Sequence, residues 1–196
     1  MTVAAVNVSQ LTGAGPDATI VTTPRLSTSD SAAPANANPI PIAAAGLSWS
    51  YWMSLQLTIS NIQDATVLNN HLFYSDGTIG WSLGTDGKLV IGLRDAGDNG
   101  CPAGSYDQAT GVVGGEGVSG DDMEDDTNGH DYYKGQDPET GLVSAYETGG
   151  TELLVDSGDH TIAEAFKHIV IQAVVDDDAV RGARAAETLT FQYDEV

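Results

Sequence analysis

"FKHIVIQAVV", residues 166–175, is the strongest core-strand signal in the chain. Ten residues dominated by Ile, Val and Ala, with Phe166 at the start, suit a pleated and buried strand. A second run, "YWMSLQLTIS" at 51–60, sets Trp52, Ser54, Gln56 and Thr58 against Met53, Leu55, Leu57 and Ile59. That period of two predicts a half-buried strand. "ETLTFQYDEV" at 187–196 alternates as well, with Leu189, Phe191 and Tyr193 on one face. These three segments are expected to form the core.

Working outward, "VAAVNVS" (3–9) and "ATIVTTPRLS" (18–27) read as strands around a turn at Gly15 and Pro16. Pro24 cannot donate to a ladder, so the second run suits an edge or a bulge. Asp76-Gly77 and Asp86-Gly87 separate apolar runs, a hairpin signal because both positions accept positive φ. The segments 72–74, 78–82 and 88–93 are therefore expected to form a meander. A strand at 151–155 and a two-turn helix at 161–166 complete the reading. About ten short strands with no fixed repeat predict an all-β fold, an antiparallel β-sandwich of which a jelly roll is one form. The 196 residues suffice for a single sandwich domain over 1–196.

Two segments interrupt the strand pattern. Residues 28–46 contain "SAAPANANPIPI", where each residue before a proline is pushed into an extended conformation. Such a strap costs little entropy to order, so it reads as an arm laid over another surface, with 31–45 on a partner subunit or on the protein's own flank. It runs into an aromatic knot, Trp49, Tyr51 and Trp52. Pro39, Ile40, Pro41, Ile42 and the three aromatics are the expected interface residues. A sugar-stacking platform is the other use of such aromatics, hence a glycan as a second kind of partner. Residues 95–141 turn to Gly, Asp and Asn with few apolar anchors, a long acidic loop insertion.

Charge narrows the partners. There are 28 acidic residues against 7 basic ones, a formal net charge of −21. Two carboxylates ~5 Å apart in water repel by just under ~1 kcal/mol. At ~1 M salt the Debye length shrinks to ~3 Å and most of that cost vanishes. The balance is that of a protein from a salt-saturated cell; a secreted acidic or cation-collecting protein is the alternative. No basic stripe exists to neutralise phosphates, which argues against nucleic-acid binding. No long apolar run predicts a membrane span, and "TVAAVNVSQL" after Met1 lacks a basic leader, so folding in the cytoplasm is expected. Cys101 is the single cysteine, read as a partly buried thiol.

Catalytic patterns are not found. No serine sits in a G-x-S-x-G elbow. His71 and His168 fall within strand patterns and read as satisfied structural residues; His160 reads as a turn or cap residue. Among 28 acidic side chains some pair always suits glycosidase geometry on paper, so that signal decides nothing. "GDDMEDDTNGHD" is the best metal candidate: Asp122, Glu124, Asp126 and Asn128 offer oxygens to Ca²⁺ or Mg²⁺. As an EF-hand it fails, because Gly135 stands where a bidentate glutamate belongs. A solvated acidic loop is the competing reading, and His130 lacks visible zinc partners. No cofactor is required by any motif.

Three stretches together carry a resemblance: "LTGAGPDATIVTTPRLSTSDSAAPANANPIPI", "LSWSYWMSLQLTISNIQDATVLNNHLFYSDG" and "HIVIQAVVDDDAVRGARAAETLTFQYDEV". In this order the chain resembles the β-rich structural proteins, capsid-associated or tail, of tailed viruses and proviruses, here with a halophilic archaeal host. The resemblance implies a non-enzymatic virion protein assembled in the host cytoplasm, a capsid decoration or turret protein or else a tail or host-recognition component. Its partners would be copies of itself and the major capsid or tail proteins. A halophilic carbohydrate-binding module is the reading from another class.

Overall fold

The computed structural model describes residues 4–12, 17–34, 38–62, 67–94, 112–113, 118–119, 122–123 and 140–196. The strands are β1 (Ala5–Thr12), β2 (Asp17–Ile20), β3 (Ser48–Trp49), β4 (Met53–Asn61), β5 (Leu68–Tyr74), β6 (Lys88–Arg94), β7 (Val112–Val113), β8 (Val118–Ser119), β9 (Thr140–Leu142), β10 (Leu153–Asp156), β11 (Ala165–Val175) and β12 (Thr190–Glu195). The protein is an antiparallel β-sandwich. One sheet has seven strands in the order β2-β1-β4-β11-β6-β9, with β3 also paired to β11. The second has three, β10-β5-β12, and β7 pairs with β8 apart from both.

β11 is the axis of the large sheet. β6 lies along one side and β4 along the other, with β3 continuing the line of β4. The break between β3 and β4 is bridged by Ser50, whose N–H donates to Ala173 O at 2.9 Å while its hydroxyl accepts from Ala173 N–H at 3.0 Å. Ile169, Ile171 and Ala173 pair with Leu93, Ile91 and Leu89, and their side chains enter the main core with Met53, Leu55, Phe73, Val143 and Val155. A second cluster, Ala4, Leu57, Ile59, Leu68 and Phe166, fills one end between the sheets.

The other face of β11 is buried as well. Val170 packs with Trp52, Val90 and Met123. Gln172 accepts the Met123 N–H at 3.0 Å and donates to Ser50 O at 3.0 Å. Ser54 and Gln56 are therefore buried together with Met53, Leu55 and Leu57, so β4 is not half-buried as its alternation predicts. Their polar atoms stay satisfied inside the sheet: Ser54 Oγ lies 3.3 Å from His168 Nδ1, and Gln56 donates to Phe166 O.

Three local expectations are corrected. The meander is not formed: β5 belongs to the small sheet, β6 to the large one, and residues 78–82 hold no strand. Asp76-Gly77 permits a turn, with Gly77 at φ 80°, but a turn does not oblige its flanks to pair. Here the chain crosses between layers because Phe73 and Leu89 fill the same core from opposite sheets. Residues 161–166 form no helix; β11 starts at Ala165, where Phe166 is buried between the sheets. Two turns of helix lack the length to offset nucleation, whereas that ring gains a complete burial. The run 18–27 shortens to β2 at the edge of the sheet, and Pro24 falls beyond the strand's end.

Candidate functional site

The strap lies on the protein's own flank, with no helix or strand among its described residues 28–34 and 38–46. Ile40 packs against the main core; Ile40 and Ile42 both reach the small cluster of Leu83, Val175 and Ala179, beside Trp81. Pro39 is exposed, while Ile40, Pro41, Ile42, Trp49 and Tyr51 are half-buried. Trp52 is buried under Val90 and Val170. The residues expected at an interface are thus largely engaged with their own chain, and a sugar platform would have to be built without Trp52. The Trp49 indole N–H is buried and has no partner among the described residues.

Of the cation candidates, Asp122 is described, half-buried beside the buried Met123. Glu124, Asp126 and Asn128 lie outside the described residues, as do Cys101 and His130. Among the described residues no three His, Cys, Asp or Glu side chains come together to hold a metal.

A different acidic run is built into the fold. Asp176, Asp177 and Asp178 follow β11, and each carboxylate accepts backbone N–H groups from neighbouring loops. Asp176 accepts from Asp86 at 3.0 Å, Asp177 from Gly46 at 2.8 Å, and Asp178 from Thr85 at 2.8 Å. The Thr85 hydroxyl also donates to Asp178, and these two Thr85 bonds hold its carboxyl below the usual range. Gly84, at φ 97°, lies so close that a Cβ there would strike Asp178 Oδ1. Like charges in sequence are here separated by the donors each one captures.

Among the described residues, a titratable cluster forms that was not signalled as a unit in the sequence. His160, between β10 and β11, sits between two carboxylates: Nδ1 lies 2.8 Å from Glu164 Oε1 and Nε2 lies 3.2 Å from Asp156 Oδ2. Burial works to raise the pKa of Asp156, but N–H donors from Gly158 and Lys167, then the charges of His160 and Lys167, outweigh it and hold the carboxyl low. The His160 ring lies tilted against Phe166 with centroids 4.3 Å apart, and Phe166 meets His71 at 4.8 Å. His71 lies opposite Asp156 in the β10–β5 pairing and is fully buried. Contrary to the expectation of a satisfied histidine, neither of its ring nitrogens has a hydrogen-bond partner among the described residues.

Among the described residues, exposed apolar side chains occur at the outermost strands of both pairing orders. Ile20 on β2 is 63% exposed, Leu142 on β9 45%, Leu154 on β10 47%, and Val196, directly after β12, 74%. A cavity of about 10 Å³ beside Gln10, Ser27 and Met53 has room for roughly one water. No protein-family model, no curated protein and no solved structure matches this chain.

Proposed function

We propose that the chain is a non-enzymatic structural subunit of a virion, a capsid decoration or turret protein of a tailed virus with a halophilic host. A tail or host-recognition position is the second place for the same kind of subunit. The observation that carries the reading is the set of edges. Unpaired strand edges are templates for another chain, and stable monomers blunt them with charge, proline or a covering loop. Here Ile20, Leu142 and Leu154 on outermost strands, and Val196 directly after β12, present exposed apolar surface. Such edges suit a protein that packs against copies of itself and its capsid or tail neighbours.

The net charge of −21 sets the conditions for that packing. Subunits so acidic repel each other until salt screens them, so assembly and stability should both rise with ionic strength. Sedimentation of the purified chain should show multimers at ~2 M KCl that dissociate towards ~0.1 M, with a parallel fall in melting temperature as screening lengthens. Mass spectrometry of purified particles should find the chain among the virion proteins. A monomer at every salt concentration that is missing from particles would defeat the proposal.

A further inference from the structure

His71 is a buried ionisable group on which nothing in the proposed assembly depends. It sits on β5, the middle strand of the small sheet, with no accessible surface and two unpartnered nitrogens. Buried polar atoms without partners are rare in folded proteins, and a ring that can gain a charge is a costly one to leave so. Its neighbours are aromatic: Phe166 of β11 at 4.8 Å and Phe191 of β12 at 5.4 Å.

The charged groups nearby are already committed. On β10, Asp156 receives N–H groups from Gly158 at 2.8 Å and Lys167 at 3.3 Å, and faces His160 at 3.2 Å. Before β11, Glu164 is bound to His160. On β11 the half-buried Lys167 carries a further positive charge. On β12, Tyr193 is half-buried, the exposed Asp194 accepts from Asn70 at 3.0 Å, and Glu195 accepts the Ala4 N–H at 3.4 Å. A proton arriving on His71 would thus create a cation that no free carboxylate meets.

The cheapest relief lies on the β12 side. Among the described strands β12 pairs with β5 alone, it has no fully buried residue, and Phe191 is its contact with the His71 ring. β11, by contrast, is enclosed by strands on both sides. We propose that His71 is an acid-operated release for the C-terminal strand: its protonation lifts β12 from β5 and brings water to the ring.

The pH window follows from proton linkage. Burial lowers the His71 pKa from 6.5 to about 4, with Asp156 pulling the other way and His160 adding to the fall. The opened form, with its ring in water, binds a proton near the ordinary value. Opening therefore takes up a proton between those two values, and the closed form loses ground as pH falls from about 6.5 to about 4. Above that window the effect is absent. At pH ~5 the closed-to-open ratio should be lower by about 30-fold than at pH ~8.

The test is amide hydrogen exchange on the full chain in molar salt at both pH values, corrected for intrinsic rates. In the wild type, protection of β12 amides should fall about 30-fold further than that of β11. In His71→Phe, which keeps an aromatic ring but no proton site, that extra fall should vanish. Equal losses in β11 and β12, or an unchanged β12 loss in His71→Phe, would overturn the proposal. Should the variant not fold, NMR titration of the wild-type His71 ring decides: a midpoint below 6.5 supports the release, and one at or above 6.5 ends it.

Discussion

β11 and β12 are both expected in the core, yet they live in different environments. The first reads as a continuous apolar run and the second as an alternating strand with one apolar face. From His168 to Val175 every residue of β11 is buried, whereas no residue of β12 is. β11 has paired strands on both sides, the small sheet over one face and Met123 with Trp52 over the other. β12 has one neighbour, β5, and turns Phe191 and Tyr193 towards the sandwich while Gln192 and Asp194 meet solvent. An apolar pattern states that a strand has something to bury. Its place in the sheet decides how much of it is buried.

The largest expected effect tests the buried member of the pair. Ile169→Asp puts a carboxylate where the side chain has no exposure and packs within the apolar core, which costs roughly 5 kcal/mol or more. That is comparable to the whole stability of a domain, so circular dichroism should show no cooperative melt. Phe191→Ala tests the edge member. Its ring is half-buried against Phe73 and His71, and its loss should cost about 2 kcal/mol, below the range for a full core phenylalanine. Amide protection along β11 should survive in that variant. A Phe191→Ala protein as unfolded as Ile169→Asp would erase the distinction between the two strands.

The smallest effect concerns the turn that closes β11. Gly84→Ala forces a side chain into a left-handed backbone and against Asp178, for a cost of roughly 1–2 kcal/mol. Chemical denaturation should show a lower midpoint with an unchanged slope. A neutral result would mean that the Asp178–Thr85 contact yields freely and that β11 is held by its neighbours alone.

The strap sharpens the same contrast between pattern and place. Its prolines announce an extended segment, and residues 38–42 have no regular structure. What it lies on was open to either a partner or the chain itself. Ile40 and Ile42 meet Leu83, Val175 and Ala179 of their own chain, so deletion of 31–44 removes contacts from the folded subunit as well as any assembly contact.

Alternation, β-branched runs and proline placement by themselves determined an all-β antiparallel sandwich and the approximate position of most of its strands. Those signals are local, since each depends on side chains two or three positions apart. Sheet membership was decided only by tertiary structure: Asp76-Gly77 allows a hairpin, but core packing sends β5 and β6 to opposite layers. Solvation of the second face was decided there too, because Ser54 and Gln56 look solvent-facing in the sequence and are buried in the fold, and Val170 beside them packs with Trp52, Val90 and Met123. The histidine cluster is the extreme case. Its His160–Glu164 spacing is visible in the chain, but His71, Phe166 and Phe191 come from three strands in two sheets. A ring nitrogen's partners, or its lack of them, are set by whatever the fold brings within about 3 Å, and spacing along the chain carries no record of that distance.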